Sequence, residues 1–228
     1  DLNRSGRNRV TNQTATRLRN HTYQGFVWNE GDMDVSYWMP QGITGSSDAH
    51  ETGWVENRRL MMVSWYHKTD ERPTKGARVS LIDLTEFGDI EYRHLLLAEP
   101  YDTSGGVDFE AASYDHGDRD ALHAGGIAWI GDLLYVADTR VVFRVYDLSL
   151  IIPMSHTNDK DRIGFKNGQS HAHGYKYIVP LVARYRLADT SCAYSFSSVG
   201  FDRSTDPPTL LSAEYKSDSI QGRLVHWP

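Results

Sequence analysis

One grammar recurs along this chain and constrains its fold more than any other feature. Between His123 and Ile151, HAGGIAWIGDLLYVADTRVVFRVYDLSLI holds three apolar runs, Gly126–Ile130, Leu133–Ala137 and Val141–Leu148, separated by Gly131-Asp132 and Asp138-Thr139-Arg140. Short runs rich in β-branched and aromatic residues read as strands, and Gly-Asp between two of them is a hairpin signal. The stretch is an antiparallel meander.

The same order appears upstream in Gln41–Thr44, Arg58–Lys68 and Ala77–Thr85, where Asp83-Leu84-Thr85 aligns with Asp147-Leu148-Ser149. It appears again downstream in Tyr194–Phe201, Thr209–Ser217 and Gly222–Pro228. Two units add a fourth strand, Tyr92–Glu99 and Tyr177–Leu187, and Pro180 in the second suits an outer edge, where a missing N–H breaks no ladder. Four-stranded antiparallel units in tandem are the blades of a β-propeller. The expectation is an all-β chain with a polar, basic arm over 1–22 and a partial propeller over 23–228, with blades at about 38–100, 123–188 and 194–228. Two polar insertions, Tyr101–His123 and Ser155–Lys176, read as long loops of the kind that carry function.

Three blades fall short of the roughly four to eight that close a propeller. The third unit also reaches Trp227-Pro228 without a fourth strand. A second chain or a second copy is therefore the expected partner, and Tyr23–Asn29 is a candidate for one outer strand.

The formal charge of −6 argues against a general nucleic-acid binder, so Arg4, Arg7, Arg9, Arg17 and Arg19 read as a solvated arm. No apolar run approaches the roughly 20 residues of a membrane-spanning helix. A chain opening on Asp reads as already processed, and N-x-S/T triplets at Asn3, Asn12 and Asn20 offer glycosylation acceptors, both in keeping with secretion. Cys192, the lone cysteine, has no partner for a bridge within the chain; it reads as a small buried hydrophobe or as half of a bridge to another molecule.

GDLLYVADTRVVFRVYDL resembles the strand-turn-strand core of NHL-repeat and gluconolactonase-like propellers. WMPQGITGSSDA, MVSWYHK, KGARVSLIDL, YRHLLL, HAGGIAW and AHGYKYIVP are similar to a group of secreted, actinomycete-type β-propeller proteins of unassigned function. That resemblance covers most of the chain from about Tyr23, and implies a propeller that continues beyond this chain. It implies little about chemistry, because propellers host many functions.

Propeller ligands sit where inner strands meet the central channel. The matching openings are Met39-Pro40-Gln41-Gly42, His123-Ala124-Gly125-Gly126 and Tyr194-Ser195-Phe196-Ser197, which nominate Gln41, His123 and Ser197 as ligand-binding residues, with Trp38 as a stacking surface. His171-x-His173 in an extended segment puts two imidazoles on one face; with His123 and a carboxylate such as Asp48 or Asp138 it is a candidate zinc-type hydrolytic site. Asn158, Asp159 and Asp161 begin like a calcium loop but lack the glycine and glutamate that complete one. Asp83 and Asp147 recur at third-strand ends and read as turn caps. Three readings follow: a secreted propeller binding a glycan or protein, a metal-dependent hydrolase or lactonase-like enzyme, and a structural subunit of a larger assembly. No cofactor is required by the first, and a divalent metal, calcium or zinc, by the second.

Overall fold

The computed structural model describes residues 8–9, 12–18, 21–68, 74–114, 121–140, 142–188, 195–217 and 222–227, with side chains from residue 25 onward. It is mostly β-structure organised around one nearly closed, barrel-like sheet. Near the N-terminus come β1 (Asn8–Arg9), β2 (Asn12–Leu18), β3 (His21–Val27) and the short helix α1 (Glu30–Met33). β2 and β3 pair with each other from Asn12↔Val27 to Leu18↔His21. The expected boundary at residue 22 thus falls inside a hairpin, and Tyr23–Val27 spends its hydrogen bonds on β2 rather than on the outer edge of a meander.

The first meander comprises β4 (Trp38–Gly45), β5 (Leu60–His67), β6 (Ala77–Asp83) and β7 (Glu91–Thr103), with α2 (Ser46–Ala49) after β4. β8 (Gly106–Ala111) follows. The second comprises β9 (Ile127–Ile130), β10 (Leu133–Ala137), β11 (Phe143–Asp147) and, after β12 (Ile152–Pro153), β13 (Ile163–Lys166) and β14 (Gln169–Ala172), the strand β15 (Tyr177–Tyr185). The third holds β16 (Phe196–Asp202), β17 (Thr209–Glu214) and β18 (Leu224–Trp227). Every expected strand of the three units is present within a few residues of its expected bounds.

The units are joined by two strands that change partners. β7 runs antiparallel to β6, then continues past it, placing Leu96–Ala98 parallel to Ile178–Pro180 of β15 and pairing its last residues with β8. β15 leaves β7 after Pro180 and takes up β11 from Leu181. Proline sits at the exchange, where its missing N–H leaves no gap in a ladder. The resulting order is β4-β5-β6-β7-β15-β11-β10-β9, and β1 and β12 add short pairings at β7 and β15.

The two ends of this order, β4 and β9, return to one another. A Cβ on Gly42 would lie 2.8 Å from the Ile127 nitrogen, and the Trp129 N–H donates to Thr44 Oγ1 at 3.1 Å. Between the two meanders lies the main core, including Met62, Val79, Leu95 and Leu97 from the first and Ile127, Trp129, Leu134 and Tyr146 from the second. Each such aliphatic side chain contributes about 1.5–3 kcal/mol of burial. The third meander docks through Phe196 and Val199 of β16 and Trp227 of β18, which pack on Ala128, Ala137 and Phe143.

The two insertions differ from expectation: they carry β8 and the β13–β14 hairpin rather than irregular loop alone. They also dock on each other. The Phe165 N–H donates to Asp108 Oδ1 at 2.8 Å and the Phe109 and Phe165 rings meet edge to face at 5.4 Å. The third-strand aspartates cap turns as read: Asp83 Oδ1 accepts from the Thr85 N–H at 3.0 Å, and Asp147 Oδ1 from the Ser149 N–H at 2.9 Å.

Candidate functional site

The first strands of the three meanders, β4, β9 and β16, come together at Gly42, Gly125 and Gly126. Gly125 and Gly126 let β9 lie against β16, since a Cβ on either would fall 2.3 Å from Ser197 O or Val199 N. Side chains cannot be accommodated there, so close approach requires glycine at both positions. Ser64 of β5 ties the convergence together: its Oγ accepts from the Gly42 N–H at 2.9 Å and donates to Ala124 O at 2.7 Å. Ala124 takes φ +49, a left-handed geometry that projects the preceding His123 outward.

His123 is exposed and stacks on Tyr66 with ring centroids 4.4 Å apart, while Tyr114 lies 6.0 Å away. Arg140 lies 4.3 Å over the Tyr114 ring, and Thr139 donates to its hydroxyl at 2.9 Å. Gln41 is exposed at the bulge where the β4–β5 register shifts, its amide donating to Pro40 O at 2.9 Å. Ser197 is half-buried and supplies the backbone against which Gly125 packs. The fold therefore brings the segments bearing Gln41, His123 and Ser197 to one end. Tyr66, Tyr114 and Arg140 belong to the same surface and were not among the nominated residues.

Trp38 lies elsewhere. It is 6% exposed, with the Arg78 guanidinium 4.3 Å over its ring and His67 at 5.0 Å. Tyr66 and His67 are consecutive on β5 and face opposite sides of the sheet. Trp38 follows His67, away from His123.

The nominated metal residues have separate partners. His173, at φ +49 just after β14, approaches Lys160 O at 3.3 Å. His171 is 2% exposed and packs on His156 at 4.8 Å between ring centroids. His123 packs with Tyr66 and Tyr114. Asp138 is fully buried against Arg144 at 2.6 Å, and Asp48 accepts from Thr44 Oγ1 at 2.8 Å. Asp159 accepts from the Asp161 N–H at 3.0 Å and pairs with Arg162 at 3.1 Å. Among the described residues no three His, Cys, Asp or Glu side chains stand together as a metal-holding group. Asn3, Asn20 and Cys192 lie outside the described residues; Asn12 opens β2.

A buried polar chain was not legible as a unit in the sequence. The Trp65 indole N–H donates to Ser80 Oγ at 2.8 Å, Ser80 Oγ meets His94 Nδ1 at 2.8 Å, and His94 Nε2 meets Asp32 Oδ1 at 2.9 Å. Tyr92 donates to Asp32 Oδ2 at 2.5 Å and Arg78 to Oδ1 at 3.2 Å. Burial raises the Asp32 pKa, but the bonds and charges of His94, Tyr92 and Arg78 outweigh it and hold the carboxyl well below the usual range. Burial also holds His94 below its ordinary value, against the pull of Asp32. His94 is then neutral at pH 7, donates from Nε2 to Asp32, and accepts the Ser80 hydroxyl proton at Nδ1. The order carboxylate, imidazole, hydroxyl is that of an activated nucleophile. Yet Ser80 is fully buried and already receives the indole N–H, so no substrate reaches it. This chain fastens α1, β5, β6 and β7 to one another.

Comparisons with protein-family models, with curated proteins and with solved structures return no match to this chain.

Proposed function

We propose that this chain is part of a secreted β-propeller that binds a glycan where its inner strands begin. Each of the three meanders then forms one blade, β4-β5-β6-β7, β9-β10-β11-β15 and β16-β17-β18, with β4, β9 and β16 around the axis. The observation that carries the binding reading is the exposed His123 stacked on Tyr66 beside Tyr114, at the end of the strands where exposed Gln41 also lies. Flat aromatic faces take the apolar face of a sugar ring, and an imidazole and a primary amide hydrogen-bond its hydroxyls. The hydrolase reading has less support, because its proposed ligands form no metal-holding group among the described residues.

In this reading the outer edge of β18, which carries no strand among the described residues, receives one from a second polypeptide or a second copy. Light scattering with intact mass spectrometry tests it: a particle heavier than the 25.9 kDa chain supports completion in trans, and a lone chain-sized particle overturns it.

Binding is tested by screening the intact chain on a glycan array and titrating the best hit calorimetrically. His123→Ala and Tyr66→Ala each weaken that affinity at least tenfold, whereas Trp38→Phe and a chelator leave it unchanged. Absence of any glycan hit, capture of a protein instead, or full affinity in both variants overturns the reading. Loss of sugar-releasing activity on chelation favours the hydrolase.

A further inference from the structure

A second recess lies at the opposite end of the same strands. β5 connects the two ends: Tyr66 supports His123, while Met62 and Leu60, roughly 13 and 20 Å along the strand, line a cavity of about 410 Å³ between the first two meanders. Its lining is mainly apolar: Leu60, Leu81, Leu148 and Ile151 are half-buried along it, over Met62 at 1% exposure and Trp129 at 4% in the packed core. A volume of this size exceeds any packing defect and falls in the range of small-molecule sites, which favour the mouths of barrel-like sheets.

The rim is polar. Arg58 pairs with Asp83, and Asp83 is held a second time by the Thr85 N–H at 3.0 Å, so its carboxylate is a positioned acceptor. Exposed Glu56 and Asp132 complete the rim, and Arg93, 9% exposed, lies deeper in the lining, so both signs of charge meet a ligand. An anionic ligand meets Glu56, Asp83 and Asp132; a cationic one meets Arg58 and Arg93. A neutral group that both donates and accepts is compatible with either sign.

We propose that this cavity is a binding site for a small, neutral, mainly apolar molecule that carries a hydroxyl or amide. Its apolar body lies against Leu60, Leu81 and Leu148, and the polar group hydrogen-bonds to the Arg58–Asp83 pair. Trp129 is held in the core beneath it, its indole N–H donating to Gly131 O at 2.7 Å. The site is independent of the glycan reading, since no residue is shared between the two ends.

The test is calorimetric titration of the full chain with 2-naphthol, and with 2-naphthoate and 2-naphthylmethylammonium as charged counterparts. The expected result is one 2-naphthol per chain, with each charged probe bound at least tenfold more weakly. Leu81→Trp fills the cavity from one wall and abolishes binding; Leu148→Trp does so from the other, and near-ultraviolet circular dichroism confirms that each variant is folded. His123→Ala leaves the titration unchanged, so failure here and failure of the glycan reading are separable. Absence of saturable 2-naphthol binding, equal affinity for all three probes, or binding retained in a folded tryptophan variant overturns the proposal.

Discussion

Replacing Ser80 by Ala removes one oxygen and strands two buried groups. The Trp65 indole N–H loses its acceptor at 2.8 Å, and His94 Nδ1 loses its donor at 2.8 Å. Ser80 and its surroundings admit no solvent: Ser80 is 0% exposed and Trp65 2%. Each orphaned group costs about 1–3 kcal/mol, so the pair costs roughly 2–4 kcal/mol once partial relaxation is allowed. That is a large part of the ~5–15 kcal/mol that separates a folded domain from its unfolded chain. Urea unfolding followed by tryptophan fluorescence reads it directly, with a midpoint about 1 M lower for a slope near ~3 kcal/mol/M. Ser204→Ala is the control. That hydroxyl is exposed and bonds Asp202 at 2.6 Å, and its loss is expected to change stability by less than ~0.5 kcal/mol. A Ser80→Ala protein as stable as the control refutes the claim that the chain from Trp65 to Asp32 fastens the first meander.

Arg144→Ala leaves Asp138 and Glu99, at 0% and 4% exposure, without the cation both contact, and is expected to cost about 3–5 kcal/mol in the same assay; a loss under ~1 kcal/mol contradicts it. Gly126→Ala drives a Cβ to within 2.3 Å of Val199 N, and backbone cannot yield as a side chain does, so Tm should fall by roughly 10 °C with early proteolysis between the second and third meanders. Gly88→Ala, with nothing within 4 Å of its Cβ, should leave Tm unchanged. Stability should also fall with acid. Burial first, then the charges of Lys75, His173 and Arg78, hold His67 at about 4 against an ordinary 6.5, so the unfolded chain takes up its proton first and stability is lost as pH drops between those values. His94 shifts in the same direction, and Asp32 extends the loss below its ordinary 3.8. Urea midpoints measured from pH 7 to 4 check this, and a flat profile contradicts it.

The three meanders were legible because their signals are local. A strand such as LLYVA needs only its own residues and the Gly131-Asp132 turn beside it to pair with its neighbour. The recurrence of Asp-Leu-Ser/Thr at third-strand ends was equally local, since each aspartate caps the N–H two residues ahead. The insertions were misread as loops because GVDFEA, IGFK and QSHA are short and polar. Part of what orders them is contact with each other through Asp108 and Phe165, which are far apart in the chain.

The functional residues divide along the same line. The glycine-rich openings pointed to the place where β4, β9 and β16 come together, and so to Gln41, His123 and Ser197. Trp38 was misplaced because a tryptophan at a strand's start carries no mark of the face it will take; pairing with His67 turned it inward. Asp32, Ser80 and His94 left a faint trace, a lone Ser in RVSLID and a lone His amid YRHLLL, polar residues interrupting apolar strands. Sequence by itself determined the strands, their turns and their repeat, because these depend on alternation and on backbone freedom within a few residues. Tertiary structure alone decided which polar side chains are desolvated together, where the exchange at Pro180 links the meanders, and that a cavity stays open behind Trp129. Those outcomes depend on packing between segments that are neighbours in space and strangers in sequence.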